Sequence, residues 1–232
     1  RDLVRSRGLG DVYKRQHIWN NPLTVWTHYT ATNTKIAAFV TSYTVIGTAL
    51  TVPGFLSEGE FHDYKPETHR LLNEDYRHLE SLRFYYFYCD YFGADFPETG
   101  VLCGDVRDAH ERLTEKLYTP YVNGSKDQYL PLNGAHVSLY DDSGTLCGEY
   151  TVDNDYNGVF AFWNLEPGNY TVKVTATDYV EAEFEAEVKA GETTGLNLSL
   201  TNVNYDPTDD RVAPDDYPTP AQEAGATIAR HY

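Results

Sequence analysis

Between Ser57 and Glu67 the chain reads SEGEFHDYKPE, a polar loop that carries Glu58, Glu60 and His62. Taken alone, Glu58 reads as a solvated loop acid and His62 as an exposed imidazole. His69 and His78 follow on a helical stretch. A separation of nine residues is about two and a half turns, so the two histidines fall on different faces and do not make a metal pair. In the second half, Asp141-Asp142 and Asp153-Asn154-Asp155-Tyr156-Asn157 offer oxygen ligands to Ca²⁺, an ion that takes six or more. They lack the glycine and terminal glutamate of a helix-loop-helix calcium site, and solvated turns are the expectation. Cys89, Cys103 and Cys147 contain no CxxC pair, and an odd count leaves at least one unpaired. They are expected to be small buried hydrophobes.

The bulk properties limit what these residues can serve. Eighteen basic against thirty-five acidic side chains give a net charge of −17. A field of that sign repels phosphate backbones and anionic membranes, which excludes nucleic acid as a partner class. No stretch reaches the 18 or so apolar residues that a bilayer span needs. A hydrophobic fraction of 41% with 14% aromatics is enough for real cores, which excludes disorder of the whole chain. Methionine is absent, including from position 1, and the expectation is a piece of a longer protein. Residues 1–16 are basic and lack an apolar h-region, so they are not a secretory signal. They resemble translated sequencing-adapter sequence and are set aside as non-native.

The remainder divides by pattern. Residues 17–96 read as mixed α/β, 97–201 as all-β, and 202–232 as a Pro/Asp-rich linker toward further domains of the same chain. In the first part Ile36–Ile46 and Leu50–Leu56 are apolar runs, and Pro53 requires the second strand to start after it or to lie at an edge. Pro66 and Glu67 then mark a helix start. Leu72, Tyr76, Leu79, Arg83, Tyr86 and Cys89 recur at spacings of three and four, which predicts one long helix closed by Gly93. In the second part Gly100–Asp108, Ala135–Tyr140, Val159–Trp163, Tyr170–Ala176 and Phe184–Val188 alternate apolar and polar. Turns fall at Asp142-Ser143-Gly144-Thr145, Asn157-Gly158, Glu166-Pro167-Gly168-Asn169 and Ala190-Gly191. Five to seven short strands so spaced predict an antiparallel β-sandwich, with residues 107–129 as an insertion after the first strand. Glu181, Glu183, Glu185 and Glu187 belong to a solvent-facing strand surface.

Two resemblances emerge from these strings. Gly100-x-Leu-x-Gly-x-Val-x-Asp, Pro131-Leu-x-Gly-Ala-x-Val-x-Leu-Tyr, Tyr156-Asn-Gly-x-Phe-x-Phe, Leu165-Glu-Pro-Gly-x-Tyr-Thr-Val-Lys-Val and Ala190-Gly-x-Thr-Thr resemble a carboxypeptidase regulatory-like domain. The resemblance implies a transthyretin-like sandwich, mostly accessory in role, with starch binding among relatives of the fold. Trp163, Tyr156 and Tyr179 are aromatics able to stack on a sugar ring. The competing expectation puts Trp163 with Phe160 and Phe162 in the sandwich core and the tyrosines at its rim.

Pro53-Gly-Phe-Leu-Ser-Glu58-Gly-Glu-Phe61, with Glu67, Leu71-Leu72-Asn73 and Asp75-Tyr76, resembles the C-terminal end of zinc-dependent N-acetylmuramoyl-L-alanine amidases. By that resemblance 17–96 is an α/β fragment, an incomplete amidase-like domain, and Glu58 is the catalytic glutamate at the end of a strand. The sequence departs from the pattern where Glu60 and Phe61 stand for a Gly-Phe step and His62-Asp63-Tyr64 replaces a Ser-Asn loop. The resemblance implies zinc in the parent protein, with most ligands upstream. His17, forty-one residues before Glu58, is similar to the family's histidine ligand step, and His62 is a candidate to touch substrate. The implied chemistry is attack of zinc-activated water on the muramoyl-alanine amide, with Glu58 moving the proton. The expected parent is a secreted or extracytoplasmic hydrolase acting on peptidoglycan or another glycan, and the 232 residues alone are expected to be inactive. The alternative is a non-catalytic carbohydrate-binding or structural module of a polysaccharide-acting protein.

Overall fold

The computed structural model describes residues 65–112 and 127–208, without the side chains of Phe87, Asp90 and Tyr91, and the backbone at 28–29 and 54–55. Strands β1 (His28–Tyr29) and β2 (Gly54–Phe55) pair antiparallel, with His28 opposite Phe55. The second starts directly after Pro53, as a residue without an N–H requires.

Helix α1 (Lys65–Leu72) and helix α2 (Glu74–Phe92) replace the single helix that the spacing predicts. The break has a local cause at Asn73. Its Oδ1 accepts the Tyr76 N–H at 2.9 Å, which caps the start of α2. The Arg77 guanidinium donates to the carbonyls of Leu71 and Leu72 at 2.6 and 2.8 Å and satisfies the end of α1. Gly93 ends α2 at φ 66°, a conformation that favours glycine.

Eight strands follow among the described residues: β3 (Gly100–Arg112), β4 (Tyr129–Pro131), β5 (His136–Asp141), β6 (Leu146–Thr151), β7 (Val159–Leu165), β8 (Gly168–Thr175), β9 (Ala182–Val188) and β10 (Thr193–Leu200). One sheet runs β6-β5-β8-β9. In the other, β3 is flanked by β10 on one edge and by β7 and β4 on the other. Phe160, Phe162, Leu102, Val106, Val137, Leu139, Val172, Val174, Leu198 and Leu200 fill the space between the sheets.

Two features differ from the sequence reading. Pairing is antiparallel throughout both sheets except that β10 runs parallel to β3, with Thr193 opposite Val101. The turn at 190–191 accounts for this, because Gly191 N–H donates to Thr99 O at 2.9 Å and Val101 N–H to Glu192 O at 3.0 Å. The chain thus enters β10 at the end where β3 begins. The strand β3 also continues to Arg112, well into the stretch 107–129 read as an insertion, and Arg112 lies opposite Tyr129 of β4. Arg107 and Asp108, where the alternating strand meets the stretch read as an insertion, are both buried because each is paired. Arg107 Nε donates to Asp105 Oδ2 at 2.6 Å, and the Tyr179 hydroxyl donates to Asp108 Oδ2 at 2.8 Å.

The sheet containing β3 and β7 is covered on both faces. Residues Leu102, Phe160 and Phe162 point into the sandwich, while Val101, Cys103, Val159 and Ala161 point outward and meet Tyr76 and Leu79 of α2. A strand buried on both faces loses the apolar-polar alternation of a half-exposed one, and residues 100–108 of β3 are all buried.

Candidate functional site

The outer face of that sheet, under the two helices, gathers most of the buried polar side chains. Arg70 of α1 donates to both Asp127 oxygens, at 2.8 and 3.4 Å, and Arg107 donates to Asp105 and, at 3.5 Å, to Asp127. The four side chains are almost wholly excluded from solvent. Two guanidiniums and two carboxylates make a formally neutral cluster, the arrangement that makes burial of charge tolerable. Next to it, Asn157 Nδ2 donates to Asp153 Oδ1 at 3.0 Å and to the His69 carbonyl at 3.3 Å, and Asn73 Nδ2 donates to Asp153 Oδ2 at 2.7 Å. His69 Nδ1 lies 2.8 Å from the Asp155 carbonyl. A carbonyl only accepts, so this nitrogen carries the proton. Burial holds the His69 imidazole below its ordinary pKa, the Asp155 hydrogen bond opposes that, and the nearby Lys65, Arg70 and Arg107 charges reinforce it.

The far side of the same interface opens to solvent. Asp75, at the start of α2, accepts the Trp163 indole N–H at Oδ1 and the Tyr150 hydroxyl at Oδ2, both at 2.8 Å. Burial pushes the Tyr150 phenol up, the Asn73 hydrogen bond opposes that, and the Asp75 carboxylate reinforces it. Beyond Asp75 a groove of about 500 Å³ runs between α2 and β7, lined by Asp75, His78, Ser81, Leu82, Tyr85 and Trp163. The His78 ring meets Trp163 edge-on at 6.3 Å, and Tyr85 is 49% exposed. An aromatic wall with a few convergent polar groups is the usual composition of a small-ligand site.

Trp163 therefore does not join Phe160 and Phe162 in the sandwich core. It stands on the opposite face of β7, half-buried, with its indole fixed by Asp75. The parity of Val159, Ala161 and Trp163 against Phe160 and Phe162 was the available signal. Tyr156 meets the His69 ring edge-on, and Tyr179 is tied to Asp108, so neither shares the groove. His69 and His78 lie on different helices, one buried in the polar cluster and one exposed in the groove.

Glu58, His62 and His17 lie outside the described residues. Among the described residues no group of three or more His, Cys, Asp or Glu is placed to hold a metal ion. The acidic clusters instead cap turns. Asp141 Oδ1 accepts the Ser143 hydroxyl and the backbone N–H groups of Ser143 and Thr145, and these bonds, the Ser143 hydroxyl first, hold its carboxyl below the usual range. Cys89 and Cys103 are buried as expected, and burial, with Asp105 nearby, pushes the Cys103 thiol far up, but Cys147 is exposed on β6. Among the described residues no helix is long and apolar enough to cross a membrane.

Residues 125–201 match the model of the carboxypeptidase regulatory-like domain, a match that does not reach residues 17–96. Among solved structures the chain is similar to the Bacillus anthracis TIE protein, at 24% identity over 45% of this chain and 17% of that one, with a TM-score of 0.33. It is also similar to the minor pilin of Streptococcus agalactiae, at 18% identity over 51% and 50% of the two chains with a TM-score of 0.35. The major pilin subunit of Bacillus cereus is similar at 22% identity over 46% and 31%, with a TM-score of 0.31. The chain thus spans half or less of the length of each of these. No curated protein matches it. With two packed sheets and the match over residues 125–201, the second half of the chain carries a carboxypeptidase regulatory-like β-sandwich.

Proposed function

We propose that this sandwich, with its helix pair, is a non-catalytic accessory module of an extracytoplasmic protein, and that it binds a neutral glycan in the groove between α2 and β7. The observation that carries the reading is the groove itself, where Trp163 is held in place by Asp75 while Tyr85 stays exposed beside it. Aromatic rings stack on the apolar face of a pyranose, and His78, Ser81 and the Asp75 carboxylate are at hand for its hydroxyls. A net charge of −17 favours an uncharged polymer over an anionic one. The test is affinity electrophoresis against starch, β-glucan and peptide-stripped peptidoglycan strands. Retardation by one neutral polymer should weaken about tenfold, ~1.4 kcal/mol, in Tyr85→Ala and should persist in Phe92→Ala, which lies outside the groove. Absence of retardation by every polymer, or equal retardation of the two variants, would overturn the reading.

A second reading keeps Glu58 as proton carrier beside zinc in a longer parent hydrolase, with His17 and His62 as its candidate ligand and substrate contact. It is supported by the resemblance and by a strand, Gly54–Phe55, that starts just after Pro53. Zinc content and muramoyl-alanine amidase activity of that parent, measured with and without Glu58→Ala, decide it.

A further inference from the structure

The first and last strands of the sandwich lie side by side and point the same way. Eight opposed pairs run from Thr193 against Val101 to Leu200 against Asp108. The chain enters β3 at Gly100 and leaves β10 at Leu200, which are opposite ends of this pairing. Tension between the segment before Gly100 and the segment after Leu200 therefore drags the two strands past one another along their length. In that geometry the ladder hydrogen bonds share the force and must fail together. Pulled apart from one common end, the same bonds would fail in turn, each individually weak.

The surroundings of the pair remove easier routes. On its other edge β3 is paired with β7 over Gly100–Asp105 and with β4 at Arg107 and Arg112, so it cannot swing away from β10. Gly104 lies so close beneath the Leu196 carbonyl that a Cβ there would collide with it. Leu102, Val106, Leu198 and Leu200 are wedged in the core between the sheets. At the exit, Val180 N–H donates to Thr201 O at 2.9 Å and Val203 N–H to Asp178 O at 2.8 Å. Tyr205 then stacks on His110 at 3.7 Å with the rings 10° from parallel. The departing chain is thus pinned to the sandwich before it is released.

We propose that the sandwich is a mechanical clamp, which carries tension between the segments on either side of it through the parallel β3–β10 pair in shear. This function is independent of glycan binding. The helix pair lies on the path from the N-terminal side, held by Arg70–Asp127 and by Asp75 to Trp163 and Tyr150, and it peels off first as a separate, weaker event.

Single-molecule force spectroscopy on the full chain tests the proposal by changing only the pulling points. In one arm, peptide tags at residues 1 and 232 load the pair in shear. In the other, handles at Glu98→Cys and Glu192→Cys load it from one common end; both positions are exposed, and both arms carry Cys147→Ser to remove the exposed native thiol. The expected result is a rupture force about two-fold or more higher for the terminal pull at equal loading rate, because forced unfolding reports the barrier along the pulled direction. Equal forces in the two arms, or a weaker terminal pull, would overturn it. No variant in the clamp is needed, so failure to fold does not confuse the outcome.

Discussion

The sheet formed by β3, β7, β4 and β10 has two buried faces built on opposite principles. Its inner face is apolar side chains closed against the second sheet, with Leu102, Phe160 and Val106 wholly buried. Its outer face, under the helices, combines a small apolar cluster around Tyr76 and Leu79 with the Arg70, Asp127, Arg107 and Asp105 quartet and the Asn73, Asp153 and Asn157 contacts. Apolar packing is non-directional and tolerates repacking, whereas charged pairs in a buried site demand one geometry and leave a heavy penalty when one member is lost. The inner face thus supplies cohesion, and the outer face fixes where the helix pair sits, and through Asp75 where Trp163 sits.

Substitutions separate the two. Phe160→Ala on the inner face should cost about 3–5 kcal/mol and lower the single denaturation midpoint of the whole sandwich. Arg70→Ala on the outer face should cost about 3 kcal/mol, since Asp127 loses its closer partner. That loss should appear as faster proteolysis and hydrogen exchange in Lys65–Phe92 while the sandwich keeps its midpoint. The double change Arg70→Met with Asp127→Leu should recover most of the stability, as apolar replacement of a buried pair does. Failure of that recovery would mean the quartet contributes net energy and not only position. Asn73→Ala removes the α2 cap and a bond to Asp153, with an expected loss of about 1 kcal/mol measured by denaturant titration.

Near neutral pH the smallest effect is that of His69. Its folded-state pKa is lowered by burial, so as pH falls below the ordinary value of 6.5 the unfolded chain binds a proton that the folded chain refuses. Stability should therefore decline from about pH 6.5 downward and level off only below the lowered value. His69→Gln should flatten this part of a melting-temperature profile, and an unchanged slope would assign it to other groups.

Much of the inner face was legible because local chemistry and pattern agree there. Asn157-Gly158 marks a tight approach, with Gly158 at φ 73° and the Val106 carbonyl 2.5 Å from where a Cβ would lie, and the turns at Gly144 and Gly191 also sit at their glycines. The outer face was not legible, because nothing around Arg107 says that distant Asp127 will make it burial-competent, and on the inner side nothing around Asp108 points to Tyr179. The same holds for Asn73, whose role as a break emerges only when its side chain turns back on Tyr76 and Arg77 closes the preceding helix. Parallel entry of β10 depends on which end of the molecule Val188 reaches, a global property that no short window contains. In the groove, Trp163 was visible as an aromatic of interest but its partner was not, since Asp75 is 88 residues away in sequence.

The strand β9 ends its sheet and carries Glu183, Glu185 and Glu187 exposed on one side, with Glu181 just before it. An open strand edge is a template on which another copy of the same chain can add, and a row of like charges keeps copies apart. Near the isoelectric point of the sequence, about pH 4.7, the chain as a whole loses its net negative charge. Colloidal stability should then collapse before the fold does, so that purified material clouds reversibly on mild acidification while its β-sheet circular dichroism is retained.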